Sequence, residues 1–500
     1  MSAKSIMIQG TMSNAGKSFV AAAFCRIFYQ DGYRCAPFKS QNMALNSYIT
    51  QDGLEMGRAQ VMQAEAAKIA PRVEMNPILL KPTSSMGSQV IVNGEVWQNM
   101  GAMEYYRRKR ELVPEVERAY RALEEEFDIL VLEGAGSPAE INLKDQDLVN
   151  MGMAKMAKAP VLLVADIDRG GVFASIYGTI QLLEEEERAY VKGILINKFR
   201  GDVNILMPGL QKIEELTSVP VLGVIPMEPL DLDDEDSLSD RLSRTDAAVG
   251  QADAAVIRLP RISNFTDFAS LDRQEGVRVR YVSRADQLGT PDFIILPGTK
   301  NTMGDLKWLR QSGLEAAVKR QNAMGVPVLG ICGGFQMMGE VLKDPFGTEE
   351  KGSLRGMELL PVRTEFSPEK TRTRITGTMI SCPEFFRGKK KQEVSGYEIH
   401  MGRSTLSEGG KPFLRLSDGR LDGCVRKDGL AAGTYLHGLF DQEDTVSALA
   451  GFLREKKGLA DFGPAVDAAE WKEREYDRLA DLVRRSVDME KIYEILNRGI

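Results

Sequence analysis

The sequence predicts an α/β protein with two doubly wound, parallel-sheet domains and a helical C-terminal tail. Short apolar runs, which are typical of strands buried on both faces, alternate with helical segments in two separate series. In each series, one strand leads through a glycine-rich turn into a helix. From about residue 450 the chain is charged and helical instead. These three observations together predict the fold class.

The positions of the two series divide the chain into four predicted segments. The first α/β domain is predicted over residues 1–230, an acidic, proline-bearing linker over 231–250, the second α/β domain over 251–447, and the helical tail over 448–500. In the tail, four apolar residues share one helical face, namely Leu479, Leu482, Val483 and Val487. We expect this face either to pack on a domain or to form a contact in a homo-oligomer.

The composition limits the classes of function. The 500 residues suffice for two or three domains, and the net charge of −7 argues against binding to nucleic acid. Two short basic clusters, Arg107–Arg110 and Lys389–Lys391, are interpreted as solvated faces. The five cysteines form no CxxC pair, which favours a reducing compartment and argues against structural zinc. This sequence shows neither a signal peptide nor a membrane-spanning apolar run, so we expect a cytoplasmic protein without a membrane partner.

A glycine-rich loop near the N-terminus is interpreted as a phosphate-binding loop. The apolar run Ile6–Ile8 precedes it, and an apolar helical segment starts at Phe19. In such loops, backbone N–H groups and the helix N-terminus surround phosphates, the lysine reaches the outer ones, and the hydroxyl can bind Mg²⁺. Five residues separate the two outer glycines where the common pattern has four, so this is a variant loop; the alternative is a chance glycine-rich turn. The candidate phosphate-binding residues are Gly10, Thr11, Asn14, Gly16, Lys17 and Ser18.

Acidic residues follow two further strands of the first series. The apolar run Phe127–Leu132 ends at Glu133, which together with Ser18 is the candidate Mg²⁺ site. The alternative for Glu133 is a loop acid that caps a turn. Asp166 and Asp168 follow the next strand, and they are candidates to face the nucleotide or the activated substrate.

A segment rich in amides and hydroxyls, residues 39–48, follows the second strand. It lacks the apolar periodicity of a core element, so it suits a polar ligand; the alternative is a plain surface loop. The candidate substrate-binding residues in it are Gln41, Asn42 and Asn46.

In the second series, a strand, a sharp turn and a helix surround Cys332. The apolar run VPVL leads into GICGG, and a helical segment follows. Small neighbours on a strained turn are typical of a nucleophile elbow, and a helix N-terminus favours the thiolate form of a cysteine. The alternative is a buried structural cysteine. Of the two histidines in the chain, His437 follows a short apolar run and is the candidate base, whereas His400 is interpreted as a structural or domain-contact residue.

These residues resemble a class I glutamine amidotransferase domain. The resemblance rests on GICGG, on the distant strand-borne histidine and on the preceding segment LPGTKNT. It implies that Cys332 forms a glutamyl thioester with His437 as its base, and that ammonia is released. It also implies an oxyanion hole made of the backbone N–H groups of Gly333 and Gly298. Many members of that family carry a glutamate two residues after the histidine, but this sequence has Leu439, so the third member is absent or comes from elsewhere.

Longer segments of the chain resemble the cobyric acid synthase family. They include FKSQNMALNSY, GRAQVMQAEAA and the stretch from Asn76 to Val90, and the match runs nearly end to end. The phosphate loop resembles the dethiobiotin-synthetase-like branch of P-loop proteins. The place of Asn197 resembles that of the adenine-reading asparagine in that branch, although a strand-end turn residue is the alternative. The resemblance implies ATP, Mg²⁺ and L-glutamine as the small molecules that the protein uses.

The resemblance also implies one reaction. A carboxylate is a poor acyl donor, so ATP first converts it to an acyl phosphate, which ammonia then attacks. The implied substrate is the corrinoid adenosylcobyrinic acid a,c-diamide, amidated on its b, d, e and g carboxylates to give adenosylcobyric acid in cobalamin biosynthesis. One alternative is a cobyrinic acid a,c-diamide synthase, which has the same architecture. The other is a regulatory P-loop ATPase with a non-catalytic amidotransferase-like domain, and the intact Cys332 and His437 argue against it.

Overall fold

The computed structural model describes residues 2–500 except 84–86, 233–241, 243, 247–249, 390 and 461–465. Most of the predicted acidic linker, residues 231–250, therefore lies outside the described residues. The predicted fold class is confirmed, because the two units of the chain are each built around a sheet of mainly parallel strands with helices between them.

The secondary structure alternates as the sequence predicts over most of the chain. The strands are β1 (Lys4–Gly10), β2 (Cys35–Phe38), β3 (Gln41–Met43), β4 (Ser47–Ile49), β5 (Glu55–Gly57), β6 (Ile78–Pro82), β7 (Gly87–Val92), β8 (Glu95–Gly101), β9 (Ile129–Glu133), β10 (Val161–Asp166), β11 (Val191–Phe199), β12 (Val221–Pro226), β13 (Ala252–Ile257), β14 (Val277–Val282), β15 (Phe293–Leu296), β16 (Val328–Ile331), β17 (Val341–Asp344), β18 (Gly352–Arg355), β19 (Val362–Met379), β20 (Glu393–Leu406), β21 (Leu414–Leu416), β22 (Leu421–Asp422), β23 (Cys424–Val425) and β24 (Ala431–Thr434). The α-helices are α1 (Lys17–Gln30), α2 (Arg58–Ala66), α3 (Ala102–Arg108), α4 (Val113–Glu126), α5 (Met151–Ala157), α6 (Val172–Leu182), α7 (Glu185–Arg188), α8 (Val203–Thr217), α9 (Ala269–Asp272), α10 (Ala285–Leu288), α11 (Thr302–Gln311), α12 (Leu314–Ala323), α13 (Gly333–Met337), α14 (Glu443–Lys457), α15 (Ala468–Ser486) and α16 (Met489–Arg498).

The first compact unit comprises Met1–Ala44, Glu55–Asp233 and Lys472–Ile500. Its main sheet has six parallel strands in the order β12-β11-β10-β1-β9-β2, so β1 lies between β9 and β10. In open α/β sheets, ligands bind at the carboxyl ends of the strands where the strand order reverses. The glycine-rich loop follows β1 at this point. A smaller sheet in the same unit has the order β3-β6-β7-β8.

The second unit comprises Leu45–Leu54 and Asp234–Trp471. Its main sheet has the order β14-β13-β15-β16-β24-β23, and its strands are parallel except for β23, which is antiparallel to β24. A further sheet, β18-β17-β19-β21-β22, carries the long antiparallel pair of β19 with β20. The sequence analysis names no strand there, because the centre of β19 carries the polar run TRTR rather than apolar residues.

The two units differ from the predicted segments in two places. Residues 45–54, predicted within the first domain, belong to the second unit, and the tail is shared between the units. Helix α14 belongs to the second unit, whereas α15 and α16 belong to the first. The predicted apolar face of the tail is buried in the core of the first unit, which agrees with packing on a domain. Among the described residues, no helix combines the length and the apolar character that crossing a membrane requires.

Candidate functional site

The glycine-rich loop begins at the carboxyl end of β1, and Gly16 in it has no room for a side chain. Its φ is +97°, in the left-handed region that favours glycine, and a Cβ there would lie 2.0 Å from Asn197 Nδ2. Asn197 Nδ2 donates to the Ala15 backbone oxygen at 2.9 Å. Thr11 N donates to Val164 O at 3.0 Å, which joins the loop to β10. The Asn197 amide thus supports the loop, and its adenine-reading role stays a prediction.

The Lys17 side chain is buried and folds back over the loop. Its Nζ donates to the backbone oxygens of Met12 at 2.9 Å and of Gly136 at 3.0 Å. A Cβ at Gly10 would lie 3.0 Å from the Lys17 side chain, so glycine at this position leaves the space that the lysine occupies. The ammonium group is therefore held over the loop, and its phosphate-binding role stays a prediction.

A second lysine, Lys198, reaches the same loop. Its Nζ donates to Asn14 O at 2.7 Å and to Asp166 Oδ2 at 2.8 Å. The structure therefore places Asp166 beside the loop through this ion pair. Asp168 points elsewhere, because its carboxylate pairs with exposed Arg200 at 3.0 Å. The sequence reasoning missed Lys198, although this residue directly follows the candidate Asn197 in the chain.

Glu133 is the centre of a buried polar cluster at the carboxyl end of β9. Its Oε1 accepts from Ser18 Oγ at 2.8 Å and from Lys39 Nζ at 2.9 Å, while its Oε2 accepts from Gln63 Nε2 at 2.6 Å. Burial alone would raise the pKa of Glu133, but the Lys39 ammonium and these hydrogen bonds outweigh it and lower the pKa. The carboxylate is therefore ionised. Sequence reasoning missed the partners Lys39 and Gln63, although each lies in a segment that it had singled out.

Ser18 Oγ and Glu133 Oε1 are oxygen ligands of the kind that Mg²⁺ prefers, and they lie 2.8 Å apart in a hydrogen bond. Their role as a magnesium site stays a prediction. Mg²⁺ in phosphoryl-transfer sites usually takes one or two protein oxygens and completes its shell with phosphate and water. In the described part of the chain, no group of three or more histidine, cysteine, aspartate or glutamate side chains is arranged to hold a metal ion.

The candidate substrate residues separate into two groups. Gln41 Oε1 accepts from the Tyr105 hydroxyl at 2.5 Å. Asn42 is buried, and its amide donates to Gln60 Oε1 at 3.3 Å. Gln60 in turn lies 3.5 Å from the Glu133 carboxylate, so Asn42 is connected to the cluster described above. Asn46, in contrast, is a buried residue of the second unit.

In the second unit, Cys332 lies on a sharp turn between β16 and α13. Its φ of +53° and ψ of −111° are rare for a residue with a side chain, as at a nucleophile elbow. A Cβ at Gly334 would lie 1.9 Å from Leu296 O, so the turn requires glycine there. Cys332 N donates to Thr434 O at 2.8 Å, and the thiol Sγ lies 3.6 Å from Ile399 O. The turn therefore fixes the thiol next to β20 and the end of β24.

His437 connects Cys332 to a buried carboxylate that the sequence reasoning did not identify. The imidazole Nδ1 lies 2.7 Å from Asp267 Oδ2, and Gly438 N donates to Asp267 Oδ1 at 3.3 Å. Burial alone would lower the pKa of His437, but the Asp267 carboxylate and a hydrogen bond with Cys332 outweigh it and raise the pKa to about 10. A protonated imidazole beside a thiol favours the nucleophilic thiolate.

Asp267 takes the place of the glutamate that is missing after His437. It lies just before α9, in the segment that follows β13, and Leu439 is buried in the core. The cluster of Cys332, His437 and Asp267 thus joins residues that are far apart in the sequence. The one feature of the sequence that could have pointed to Asp267 is its position as an acidic residue shortly after a buried strand.

The candidate oxyanion-hole glycines lie close to this cluster. A Cβ at Gly298 would lie 3.1 Å from His437 Cε1, and Gly298 O accepts from Ser263 N at 2.9 Å. A Cβ at Gly333 would lie 2.6 Å from Thr299 Cγ2. The two glycine segments therefore pack against each other and against the histidine, and the role of their N–H groups stays a prediction.

The other histidine, His400, belongs to a separate polar network. Its Nδ1 lies 3.1 Å from Gly402 O, and its Nε2 lies 3.6 Å from Glu398 Oε1. Its ring stacks on Tyr435 with a centroid distance of 3.7 Å. Glu398 is also held by Arg420 at 2.5 Å. These contacts favour the structural interpretation of His400.

Comparison with known proteins finds matches to both α/β regions of the chain. The family model of the CobQ/CobB/MinD/ParA nucleotide binding domain matches residues 6–236, and that of the CobB/CobQ-like glutamine amidotransferase domain matches residues 253–445. Cobyric acid synthase of Ruminiclostridium cellulolyticum is 56% identical over 100% of this chain and 98% of its own length. That of Lachnoclostridium phytofermentans is 54% identical over 100% of both chains, and that of Yersinia enterocolitica is 54% identical over 99% of this chain and 98% of its own. The chain therefore belongs to the cobyric acid synthase family of glutamine-hydrolysing carbon–nitrogen ligases.

Proposed function

We propose that this enzyme uses ATP and glutamine to amidate the b, d, e and g carboxylates of adenosylcobyrinic acid a,c-diamide, which gives adenosylcobyric acid in cobalamin biosynthesis. The observation that carries the proposal is the presence on one chain of a Cys332–His437–Asp267 cluster and a Lys17–Glu133 phosphate site. Full-length similarity to proteins named cobyric acid synthase supports the choice of acceptor. We place the reaction in the cytoplasm because all five cysteines are free thiols.

The amidotransferase half supplies ammonia. The Cys332 thiolate attacks the amide carbon of glutamine, and His437 gives a proton to the departing nitrogen, so ammonia leaves and a glutamyl thioester remains. Water then hydrolyses the thioester to glutamate, with His437 taking the proton of the water and returning one to the cysteine sulfur. Asp267 accepts the hydrogen bond from His437 Nδ1 and keeps the imidazole oriented through both steps.

The nucleotide-binding half activates the carboxylate. A carboxylate oxygen of the corrinoid attacks the γ-phosphorus of ATP, so an acyl phosphate forms and ADP leaves. Ammonia then attacks the acyl carbon, and inorganic phosphate leaves. Lys17 stabilises the charge of the transferred phosphoryl group from its position over the loop. Ser18 and Glu133 would hold Mg²⁺, which would supply further charge neutralisation.

The direct test supplies the enzyme with ATP, Mg²⁺, glutamine and one of two corrinoids. We expect adenosylcobyrinic acid a,c-diamide to be amidated four times in succession. Mass spectrometry of the corrinoid measures each amidation. With cobyrinic acid, the a and c carboxylates should stay unmodified. Amidation of a and c alone would instead identify the cobyrinic acid a,c-diamide synthase, and the absence of any amidation would favour the regulatory ATPase.

Replacing Asp267 with asparagine is expected to lower the glutaminase rate by about 10²- to 10⁴-fold, because the imidazole loses its orienting carboxylate. The same change removes the charge that raises the pKa of His437, so that pKa should fall. Activity that needs the imidazolium is lost as pH rises through this pKa. The alkaline limb of the pH profile of kcat/KM for glutamine should therefore move to lower pH.

Asp286→Asn is the matched control for this prediction, because Asp286 is an exposed carboxylate of the same unit that pairs with Arg284. Its glutaminase rate and pH profile should equal those of the unmodified enzyme. An Asp267→Asn enzyme with an unchanged rate and an unchanged alkaline limb would show that Asp267 does not serve His437.

Partly amidated corrinoids are expected free in solution during the reaction. One activation site near Lys17 and Glu133 meets one carboxylate at a time, so the corrinoid must leave and return in another orientation between amidations. Mass spectrometry over a time course should show singly, doubly and triply amidated species before the final product, each consuming one ATP and one glutamine. If only substrate and final product appear at high substrate excess, the corrinoid stays bound throughout.

A further inference from the structure

A loop of the second unit places the Glu349 carboxylate at the start of α11. Its Oε1 accepts from Thr302 N at 3.0 Å, and its Oε2 accepts from Met303 N at 2.8 Å. Thr302 and Met303 are the first two residues of α11, so their N–H groups have no acceptor within the helix. The Asn301 side chain accepts from Gly304 N at 2.7 Å in the same turn. Glu349 and Asn301 together satisfy three N–H groups at this helix end.

The loop that carries Glu349 is built around Asp344, the last residue of β17. Asp344 Oδ1 accepts from Thr348 N at 2.8 Å. Its Oδ2 accepts from the backbone N–H groups of Glu349, Glu350 and Lys351 at 2.9, 3.0 and 2.9 Å. Burial alone would raise the pKa of Asp344, but these hydrogen bonds outweigh it and lower the pKa to about 2. Asp344 is therefore ionised at neutral pH, and it holds the loop in the conformation that presents Glu349 to α11.

Thr302 connects the start of α11 to the turn of Cys332. Its Oγ1 donates to Gln336 Oε1 at 2.9 Å, and Gln336 N donates to Cys332 O at 3.0 Å. A Cβ at Gly333 would lie 3.2 Å from Thr302 Oγ1 and 2.6 Å from Thr299 Cγ2. The start of α11 therefore packs directly against the glycine whose N–H group is a candidate for the oxyanion hole.

Gln336 is also held from its other side. Its Nε2 donates to Met401 O at 3.0 Å and to the Tyr435 hydroxyl at 3.1 Å. Because the amide is bound at both ends, it cannot follow a displaced Thr302 without losing a hydrogen bond. A shift of the start of α11 would thus be felt at the Cys332 turn.

The charge of Glu349 changes near neutral pH. Burial raises the pKa of its carboxyl to about 7, although the N–H groups of Met303 and Thr302 act in the opposite direction. Lys300 also lowers this pKa. The charged groups of the elements around Glu349 are Arg261, Lys300, Asp305, Lys307, Asp344 and Glu350. Asp305 pairs with Arg261 at 2.9 Å, and Glu350 pairs with Lys307.

We propose that Glu349 is a positioning residue of the glutaminase reaction, which holds the start of α11 against the Cys332 turn and so fixes the Gly333 N–H group. The inference rests on the proposed function and on the predicted oxyanion hole. The ionised carboxylate accepts one N–H group on each oxygen, whereas a protonated or amide side chain turns a hydrogen toward one of them. Thr302 is then no longer held against Gly333. Misplacement of a catalytic group by about 1 Å can cost about 10²-fold in rate, so a small shift suffices.

Glu349→Gln keeps the size of the side chain but replaces one accepting oxygen with an NH₂ group. In the complete reaction with ATP, Mg²⁺ and adenosylcobyrinic acid a,c-diamide, kcat for glutamate release should fall by about 10- to 100-fold. The KM for glutamine should stay nearly the same, because an oxyanion-hole donor acts on charge that develops in the transition state. Amidation with ammonium chloride should be retained, since the first unit is unchanged.

The pH profile gives a readout that loss of stability alone would not produce. In the unmodified enzyme, kcat for glutamate release should fall as pH falls through about 7, because the Glu349 carboxylate is then protonated. Glu349→Gln should lack this acidic limb. Burial also raises the pKa of Asp305, so the loss of the limb in Glu349→Gln is what assigns it to Glu349.

Two further variants separate the outcomes. Thr302→Val removes the hydroxyl that donates to Gln336 but keeps the backbone N–H group, so it should lower kcat and keep the acidic limb. Glu358→Gln is the matched control, because Glu358 is an exposed carboxylate of the same unit that pairs with Arg355 at 2.6 Å. Its kcat and pH profile should equal those of the unmodified enzyme.

An unchanged kcat or an unchanged acidic limb in Glu349→Gln overturns the inference. If Glu349→Gln does not fold, an unchanged kcat in Thr302→Val, or an unmodified enzyme without an acidic limb near pH 7, overturns it instead. An unmodified enzyme that releases no glutamate from glutamine would overturn the proposed function.

Discussion

Replacing Cys332 with alanine is expected to abolish glutamine-dependent amidation, lowering its rate by at least about 10⁴-fold, and to leave ammonia-dependent amidation largely intact. Cys332 forms the thioester from which ammonia is released, and it takes no part in activating the carboxylate. Both rates can be read from the masses of the corrinoid products, with glutamine in one reaction and concentrated ammonium chloride in the other.

Cys382→Ala is the matched control for Cys332→Ala. Cys382 is an exposed free thiol of the same unit, so its loss should change neither rate. If Cys332→Ala lost both rates equally while its thermal unfolding stayed unchanged, ammonia would not be made at a site separate from carboxylate activation. The two-site scheme would then be wrong.

The fold class could be predicted because parallel strands buried on both faces form short apolar runs. The runs at β9 and β16 are of this kind, and each is fully buried. The β19–β20 pair could not be predicted in this way, since β19 alternates between buried and exposed positions with polar residues at its centre.

The sequence analysis also did not predict that the helices of the tail are divided between the two units. Helical periodicity showed that Leu479 and Val483 share a face, but it carries no information on which unit covers that face.

The candidate sites were predictable where one short stretch carries the chemistry. The glycine loop with Lys17 and the turn at Cys332 are both of this kind. Asp267 was not predictable, because its partner His437 is 170 residues away and only the folded chain brings the two within 2.7 Å. Lys39 was missed for the same reason, since its role follows from the ion pair with Glu133.

Replacing Lys17 with alanine is expected to lower amidation by about 10³-fold or more with either nitrogen donor. Acyl phosphate formation precedes the attack of ammonia, so the source of ammonia does not matter. The structure places the Lys17 ammonium within hydrogen-bond distance of both Met12 O and Gly136 O. The measurement is the formation of ADP and of amidated corrinoid, each with glutamine and with ammonium chloride.

Lys212→Ala provides the control, because Lys212 is an exposed lysine of the same unit that pairs with Glu215. It should keep both activities. The Lys17→Ala enzyme should still release glutamate from glutamine at the rate seen without ATP and acceptor, because Cys332, His437 and Asp267 are unchanged. This pattern separates a lost phosphate contact from a misfolded chain. If Lys17→Ala instead kept ammonia-dependent amidation, the γ-phosphoryl group would not be transferred at this loop, and ATP would serve a purpose other than activating the carboxylate.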